Sequence, residues 1–202
     1  MRQRTVADVS DLPTYGFGTR SVTWWGAVGF MALEGTGFAL AGASYLYLLY
    51  LAPGWPLSRP PPNHWPGTIV TLILLASMVP NFVLRKQARR CAMGPVRFWL
   101  VVMTIMGVAP LVVRAFEFPS LNILWDTNAY GSITWVLLGL HTTHLLTDLA
   151  DTVVLAAVMF TRHGYTGRRF GDVDDNCAYW NFVVLTWIPI YLLIYWVPRL
   201  TG

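Results

Sequence analysis

The chain has 202 residues, of which 55% are hydrophobic and only 12% charged, with 14 Lys and Arg against 10 Asp and Glu for a formal net charge of +4. Soluble domains carry about 25% charged residues, so this composition excludes an ordinary soluble enzyme and indicates one integral membrane bundle. The positive balance does not indicate nucleic-acid binding, because the charges sit in short segments between apolar runs and make no basic face.

Residues 1–23 include Arg2, Arg4 and Arg20, with no apolar core directly after the first arginines, and are predicted to form a short cytoplasmic arm and not a cleavable signal peptide. The remainder, 24–202, is predicted to be one five-helix membrane domain. Its first helix covers about 24–51, longer than the roughly 30 Å hydrocarbon layer and so expected to tilt. Gly26, Gly29, Gly35, Gly37 and Gly42, with Ala39 and Ala43, give it a small-residue surface suited to close helix contact. Glu34 falls near its middle, where a carboxylate has to be protonated or hydrogen-bonded. The connector APGWPLSRPPPNHWPG, Ala52 to Gly67, is dense in proline and reads as a stiff link with Trp55 and Trp65 at the interface.

The second helix is predicted over about 68–84, with Pro80 near its end. RKQARRCAMGPVR follows, and its five basic residues are the strongest topological signal in the chain. The third helix is predicted over about 98–116, kinked at Pro110. Arg114 and Glu117 are spaced i, i+3 at its end and are read as an interfacial ion pair. The fourth helix is predicted over about 130–160, and the polar stretch TRHGYTGRRFGDVDDNC after it reads as a loop. The fifth covers about 179–197, with Trp180, Trp187 and Trp196 around an apolar centre that holds Pro189. Cys91 and Cys177 share no metal-binding spacing, fall in predicted cytoplasmic loops and are expected to be reduced. Eleven of the 14 basic residues lie on one side of this five-span topology, against Arg59, Arg114 and Arg199 on the other, which predicts a cytoplasmic N-terminus and a periplasmic C-terminus.

The fourth helix carries the chemistry. His141, His144, Asp148 and Asp151 fall within an arc of roughly 80° on a helix of about 3.6 residues per turn. Polar groups at membrane depth are a functional hypothesis by default. Two histidines at i, i+3 cannot be opposite axial ligands of one haem, and no other predicted helix offers a mid-membrane histidine, since His64 and His163 fall in loops. One alternative is a metal site built from Glu34, His141, His144 and Asp148. Another is a satisfied polar seam in which Thr142, Thr143 and Thr147 join the histidines, each contact contributing roughly 1 kcal/mol. No nucleophile elbow, phosphate loop or dinucleotide fingerprint is present.

Five segments, in order, resemble subunit III of the haem–copper respiratory oxidases. They are WWGAVGFMALEGTGFA (Trp24 to Ala39), PGTIVTLILLAS (Pro66 to Ser77), RAFEF (Arg114 to Phe118), YGSITWVLLGLHTTHL (Tyr130 to Leu145) and AYWNFVVLTWIPIYLLIYW (Ala178 to Trp196). The length is similar to that of the five-helix bacterial form. The resemblance implies a non-catalytic subunit of a cytochrome c or quinol oxidase in the bacterial inner membrane, without its own active site and binding no cofactor, haem and copper being held by the partner. It implies subunits I and II as partners, structural phospholipid in a cleft, and support of proton uptake and sustained turnover. Glu34 matches the family's buried glutamate, His141 and His144 its helix histidines, and Glu117 its loop-end glutamate. The chain departs from the family pattern at Asn181 (histidine), Val184 (aspartate), Arg114 (glutamine) and Asp148 (a small residue). Glu34, Glu117, His141, His144 and Asp148 are therefore the candidates for a proton or lipid cleft. The alternative readings are a membrane metalloenzyme, or a nitric oxide reductase accessory subunit, using the Glu34, His141, His144 and Asp148 seam.

Overall fold

The structure, a computed structural model, describes residues 16–57 and 60–201. Most of the expected N-terminal arm, including Arg2 and Arg4, and Arg59 of the connector lie outside the described residues. Five helices long and apolar enough to cross a membrane make up the fold, and no strand occurs among the described residues. They are α1 (Val22–Leu51), α2 (His64–Arg89), α3 (Met93–Glu117), α4 (Ala129–Phe160) and α5 (Gly167–Tyr191). A π-helical turn, Leu192–Trp196, and the short α6, Val197–Thr201, prolong α5.

The helix starts are written in the sequence. Ser21, Asn63 and Asn128 each accept a hydrogen bond from a backbone N–H of the first turn, at Trp24, Trp65 and Gly131 respectively. These caps satisfy donors that no helical carbonyl can reach. Pro189, which supplies no N–H, lies inside α5 just ahead of the π turn.

The helices α2, α3, α4 and α5 enclose the core, with α1 laid on the outside against α4 and α5. Only 11% of the apolar window of α1 is buried, against 28–39% for the other four, so most of its surface is left to lipid or to another protein. The glycines of α1 divide accordingly. Gly35 and Gly42 lie close to Phe182 and Leu193 of the segment that follows α4, whereas a Cβ at Gly26, Gly29 or Gly37 would touch nothing among the described residues.

Three expectations need correction. The fifth helix begins at Gly167, not near 179, so FGDVDDNC is helix and Cys177 is buried within it. Its polar first turns are held by Asp174, fully buried, which accepts hydrogen bonds from Arg85 and Arg89 of α2 at 2.9 and 2.8 Å. A helix from Gly167 to Thr201 is about 52 Å long at 1.5 Å per residue, so its charged end projects beyond the hydrocarbon layer. Trp55 is also not interfacial: it is 3% exposed, stands edge-on to Tyr45 and Tyr130, and donates to the Tyr45 hydroxyl at 2.9 Å. The Pro-rich connector is thereby anchored inside the bundle, while Trp65 stays 65% exposed. Finally, Arg114 and Glu117 are 1% and 0% exposed, in the bundle interior and not at its surface.

Candidate functional site

The polar stripe of α4 does not face one place. It is shared among three neighbours, and each share is a distinct cluster.

The first cluster lies between α3, α4 and the C-terminal segment. Arg114 donates from Nη1 to Glu117 Oε2 at 2.7 Å, and its Nη2 lies 3.0 Å from His141 Nδ1. An arginine only donates, so Nδ1 accepts and His141 carries its proton on Nε2, from which it donates to the Val183 carbonyl at 3.0 Å. The guanidinium lies over the Trp187 ring at 4.2 Å, and the Trp187 indole N–H donates to Thr71 at 2.8 Å. Tyr195 of the π turn donates to the other oxygen of Glu117 at 2.5 Å. A Cβ at Gly67 would overlap the Tyr195 ring, so glycine in α2 is what lets this tyrosine reach Glu117. The cluster joins α3, α4, α5 and the π turn, and its side chains are buried.

The second cluster ties α1 to the bundle. Glu34 accepts a hydrogen bond from the Tyr179 hydroxyl at 2.7 Å, and its other oxygen lies 2.9 Å from His144 Nε2. That contact is at ion-pair distance but off the line of a ring N–H hydrogen bond, and Nε2 has no other partner. His144 Nδ1 lies 2.6 Å from the Leu140 carbonyl, so Nδ1 holds a hydrogen. The Phe38 ring lies tilted beside that of His144, with ring centroids 4.7 Å apart.

The third cluster is acidic. Asn176 Nδ2 donates to Asp148 Oδ1 and to Asp151 Oδ2, both at 3.1 Å, while its Oδ1 accepts from Thr152 at 3.2 Å. Asp148, Asp151 and Asn176 line a cleft of about 450 Å³ between α1, α4 and α5, rimmed by Thr23, Arg169, Asp172 and Asp175.

Of the residues picked out from the sequence, Glu34 and His144 are therefore brought together. His141 joins Arg114 and Glu117, and Asp148 belongs to the acidic cleft. Among the described residues no three His, Cys, Asp or Glu side chains are grouped so as to hold a metal ion. His141 turns one nitrogen to a cation and the other to a carbonyl, which suits neither nitrogen to a metal. Sequence reasoning missed Tyr179, Asn176 and Tyr195. The spacing of Asp172, Asp175, Asn176 and Tyr179 along one face was a usable signal, once that stretch is read as helix. The departures from the family pattern are also placed: Asn181 accepts from Asn81 at 2.9 Å, and Val184 is fully packed in the core.

The chain is similar to known proteins. A family model described as cytochrome c oxidase subunit III matches residues 68–198. Cytochrome c oxidase subunit 3 of Synechocystis sp. is 29% identical over 179 residues, covering 85% of this chain and 74% of that protein. The subunit 3 of Thermostichus vulcanus is 25% identical over 179 residues, covering 86% and 87%. A probable cytochrome c oxidase subunit 3 of Mycobacterium bovis is 27% identical over 154 residues, covering 71% of each. The match takes in α2 to α5 and with them His141, His144, Arg114, Glu117 and Tyr195. Five spanning helices and a family match over most of the length agree: this multi-pass membrane chain belongs to the cytochrome c oxidase subunit III family, as a non-catalytic member of an oxidase complex.

Proposed function

We propose that the chain packs against the haem- and copper-bearing subunit I, alongside subunit II, of a terminal oxidase in the bacterial inner membrane. It binds no redox centre itself. It stabilises its partner, holds phospholipid on the α1–α4–α5 face and supports proton uptake. The N-terminus is cytoplasmic and the C-terminus periplasmic, a reading supported by the concentration of basic residues where α2 meets α3 and where α4 meets α5.

The observation that carries this reading is the Glu34–His144–Tyr179 contact. The contact sits at the margin of the bundle and not within its core, with the Glu34 and His144 side chains 10% and 12% exposed. It lies next to the acidic cleft, through Tyr179, which lines that cleft and donates to Glu34. A carboxylate so placed borders the polar cleft without being part of the catalytic centre. Loss of Glu34 should therefore spare chemistry and affect endurance. In the purified complex, Glu34→Ala is expected to keep most of the initial turnover and to shorten the active lifetime several-fold. An unchanged lifetime would remove Glu34 from this role.

A further inference from the structure

The acidic cleft has a surplus of acceptors. Asp148 is 1% exposed, and its Oδ2 meets no hydrogen-bond partner. Asp175 is 7% exposed, and its Oδ1 is likewise unpartnered. Both residues line the same 450 Å³ cleft, and Asp151 opens onto it. The single amide of Asn176 serves Asp148 and Asp151 together. Of the described residues lining the cleft, Arg169 is the only base, and its Nη1 is engaged by Asp172 at 2.9 Å. The nearby hydroxyls do not fill the deficit: Thr23 donates to Asp175 Oδ2, and Thr147 to carbonyls of its own helix. A buried carboxylate oxygen without a donor is costly.

What would satisfy this site is positive, carries several N–H donors and has an apolar body. The donors are needed because the free groups are all acceptors. The apolar body is needed because Ala27, Phe30, Val154, Leu155 and Val158 form the walls. A compact metal ion does not fit, since no three ligand side chains among the described residues converge. Phe30 adds an aromatic face at the mouth, stacked on Tyr179 at 6.0 Å, of a kind that attracts organic cations.

We infer that the cleft between α1, α4 and α5 binds the protonated amine of an amphiphile, the ammonium seated on Asp148 and Asp151 and the apolar body lying along Phe30, Val154 and Val158. The amine belongs either to an aminophospholipid headgroup or to a free long-chain amine. The inference deepens the proposed lipid-holding face and rests on that reading.

The test uses the purified oxidase complex, stripped of lipid and then offered dioleoylphosphatidylethanolamine, dioleoylphosphatidylglycerol or dodecylamine separately, with bound amphiphile counted by native mass spectrometry. The wild-type complex is expected to retain an amine-bearing probe roughly tenfold more tightly than phosphatidylglycerol, the scale of one hydrogen-bonded charge contact. Asp148→Asn should abolish that preference, and Ala27→Phe should fill the cleft and remove binding with the acids untouched. Should Asp148→Asn fail to assemble, Asp151→Asn, whose side chain is open to the cleft, carries the same comparison. Retention of both amine probes assigns the lipid as the source, and retention of dodecylamine alone assigns a free amine. Equal retention of phosphatidylglycerol, indifferent to Asp148→Asn, overturns the amine inference while leaving a lipid-holding face. Retention of no probe overturns both.

Discussion

Arg114 and Glu117 give the most direct test of how this bundle is held. Replacing Arg114 with leucine leaves Glu117, fully buried, with a single remaining donor, the Tyr195 hydroxyl. It also strips His141 Nδ1 of its donor and Trp187 of the cation over its face. Breaking a buried ion pair by removing one partner costs about 3–5 kcal/mol, and the two further losses place Arg114→Leu toward the top of that range. Removing both charges, as Arg114→Leu with Glu117→Met, no longer leaves a bare carboxylate. The residue of the cost is then the stranded Tyr195 hydroxyl and His141 nitrogen, about 1–3 kcal/mol for each unsatisfied group. The double variant should therefore be more stable than the Arg114→Leu single variant. The assay is reversible unfolding of the purified chain in mixed micelles of rising dodecyl sulfate content, followed by tryptophan fluorescence. A single variant costing under about 1 kcal/mol, or a double variant as unstable as the single, would mean that water reaches Glu117 and that the pair is not the sealed contact described above.

Gly67→Ala introduces a Cβ into the Tyr195 ring, so Tyr195 must leave Glu117 or α2 must shift; overpacking of this kind costs about 1–3 kcal/mol, read in the same unfolding assay, and Tyr195→Phe should relieve little of it, because the ring carbons collide more closely than the hydroxyl. Trp55→Ala removes a side chain sealed between Tyr45 and Tyr130 and is expected to cost about 3–5 kcal/mol, whereas Trp65→Ala, on the outer surface, should leave the unfolding midpoint unchanged. Equal effects of the two tryptophan substitutions would show that the connector is not anchored through Trp55.

The spans were legible in the sequence because each has an apolar centre of sufficient length; the cap at Asn128 lies two residues before the predicted fourth helix, while Asn63 starts α2 about five residues ahead of the prediction. The error at α5 has a physical cause. Hydropathy marks the part of a helix that meets hydrocarbon, and the first turns of α5 do not; they are held as helix by the pairing of Asp174 with Arg85 and Arg89, a contact separated by more than eighty residues. Trp55 misled for the converse reason, since a tryptophan beside prolines near a span end has the composition of an interfacial anchor, and only the packing of Tyr45 and Tyr130 shows that it turns inward. The candidate site was legible as a list but not as an arrangement. An 80° arc on one helix is wide enough for four side chains to reach three different neighbours, and helical periodicity alone does not divide them. Asp148 and Arg114 are the informative departures from the family pattern, because each now belongs to a contact the family motif does not describe: Arg114 fixes the His141 tautomer, and Asp148 shares the Asn176 amide with Asp151.

The two histidines of α4 are three residues apart and of the same chemical type, yet their surroundings predict different consequences when they are lost. His141 is fully buried and links Arg114 to the Val183 carbonyl, so it bridges α3, α4 and α5. His141→Leu leaves a buried arginine nitrogen without an acceptor, beside an Arg114 Nε that already has none, and should cost about 2–3 kcal/mol of global stability. His144 bonds back to its own helix through Nδ1, and its contacts described above outside α4 are with Glu34 and Phe38 of α1. Because α1 is peripheral, His144→Leu should leave the unfolding midpoint of the four-helix core nearly unchanged and act instead on α1. There it removes one of the two polar contacts that hold Glu34, leaving Tyr179 alone. Hydrogen exchange separates the cases: His144→Leu is expected to speed exchange in α1 around Glu34 while α3 and α5 stay protected, and His141→Leu to lower protection across α3, α4 and α5 together. The opposite assignment, with His144→Leu destabilising the core, would require the Glu34 contact to belong to the interior network, and the division of the α4 stripe between interior and margin would fail with it.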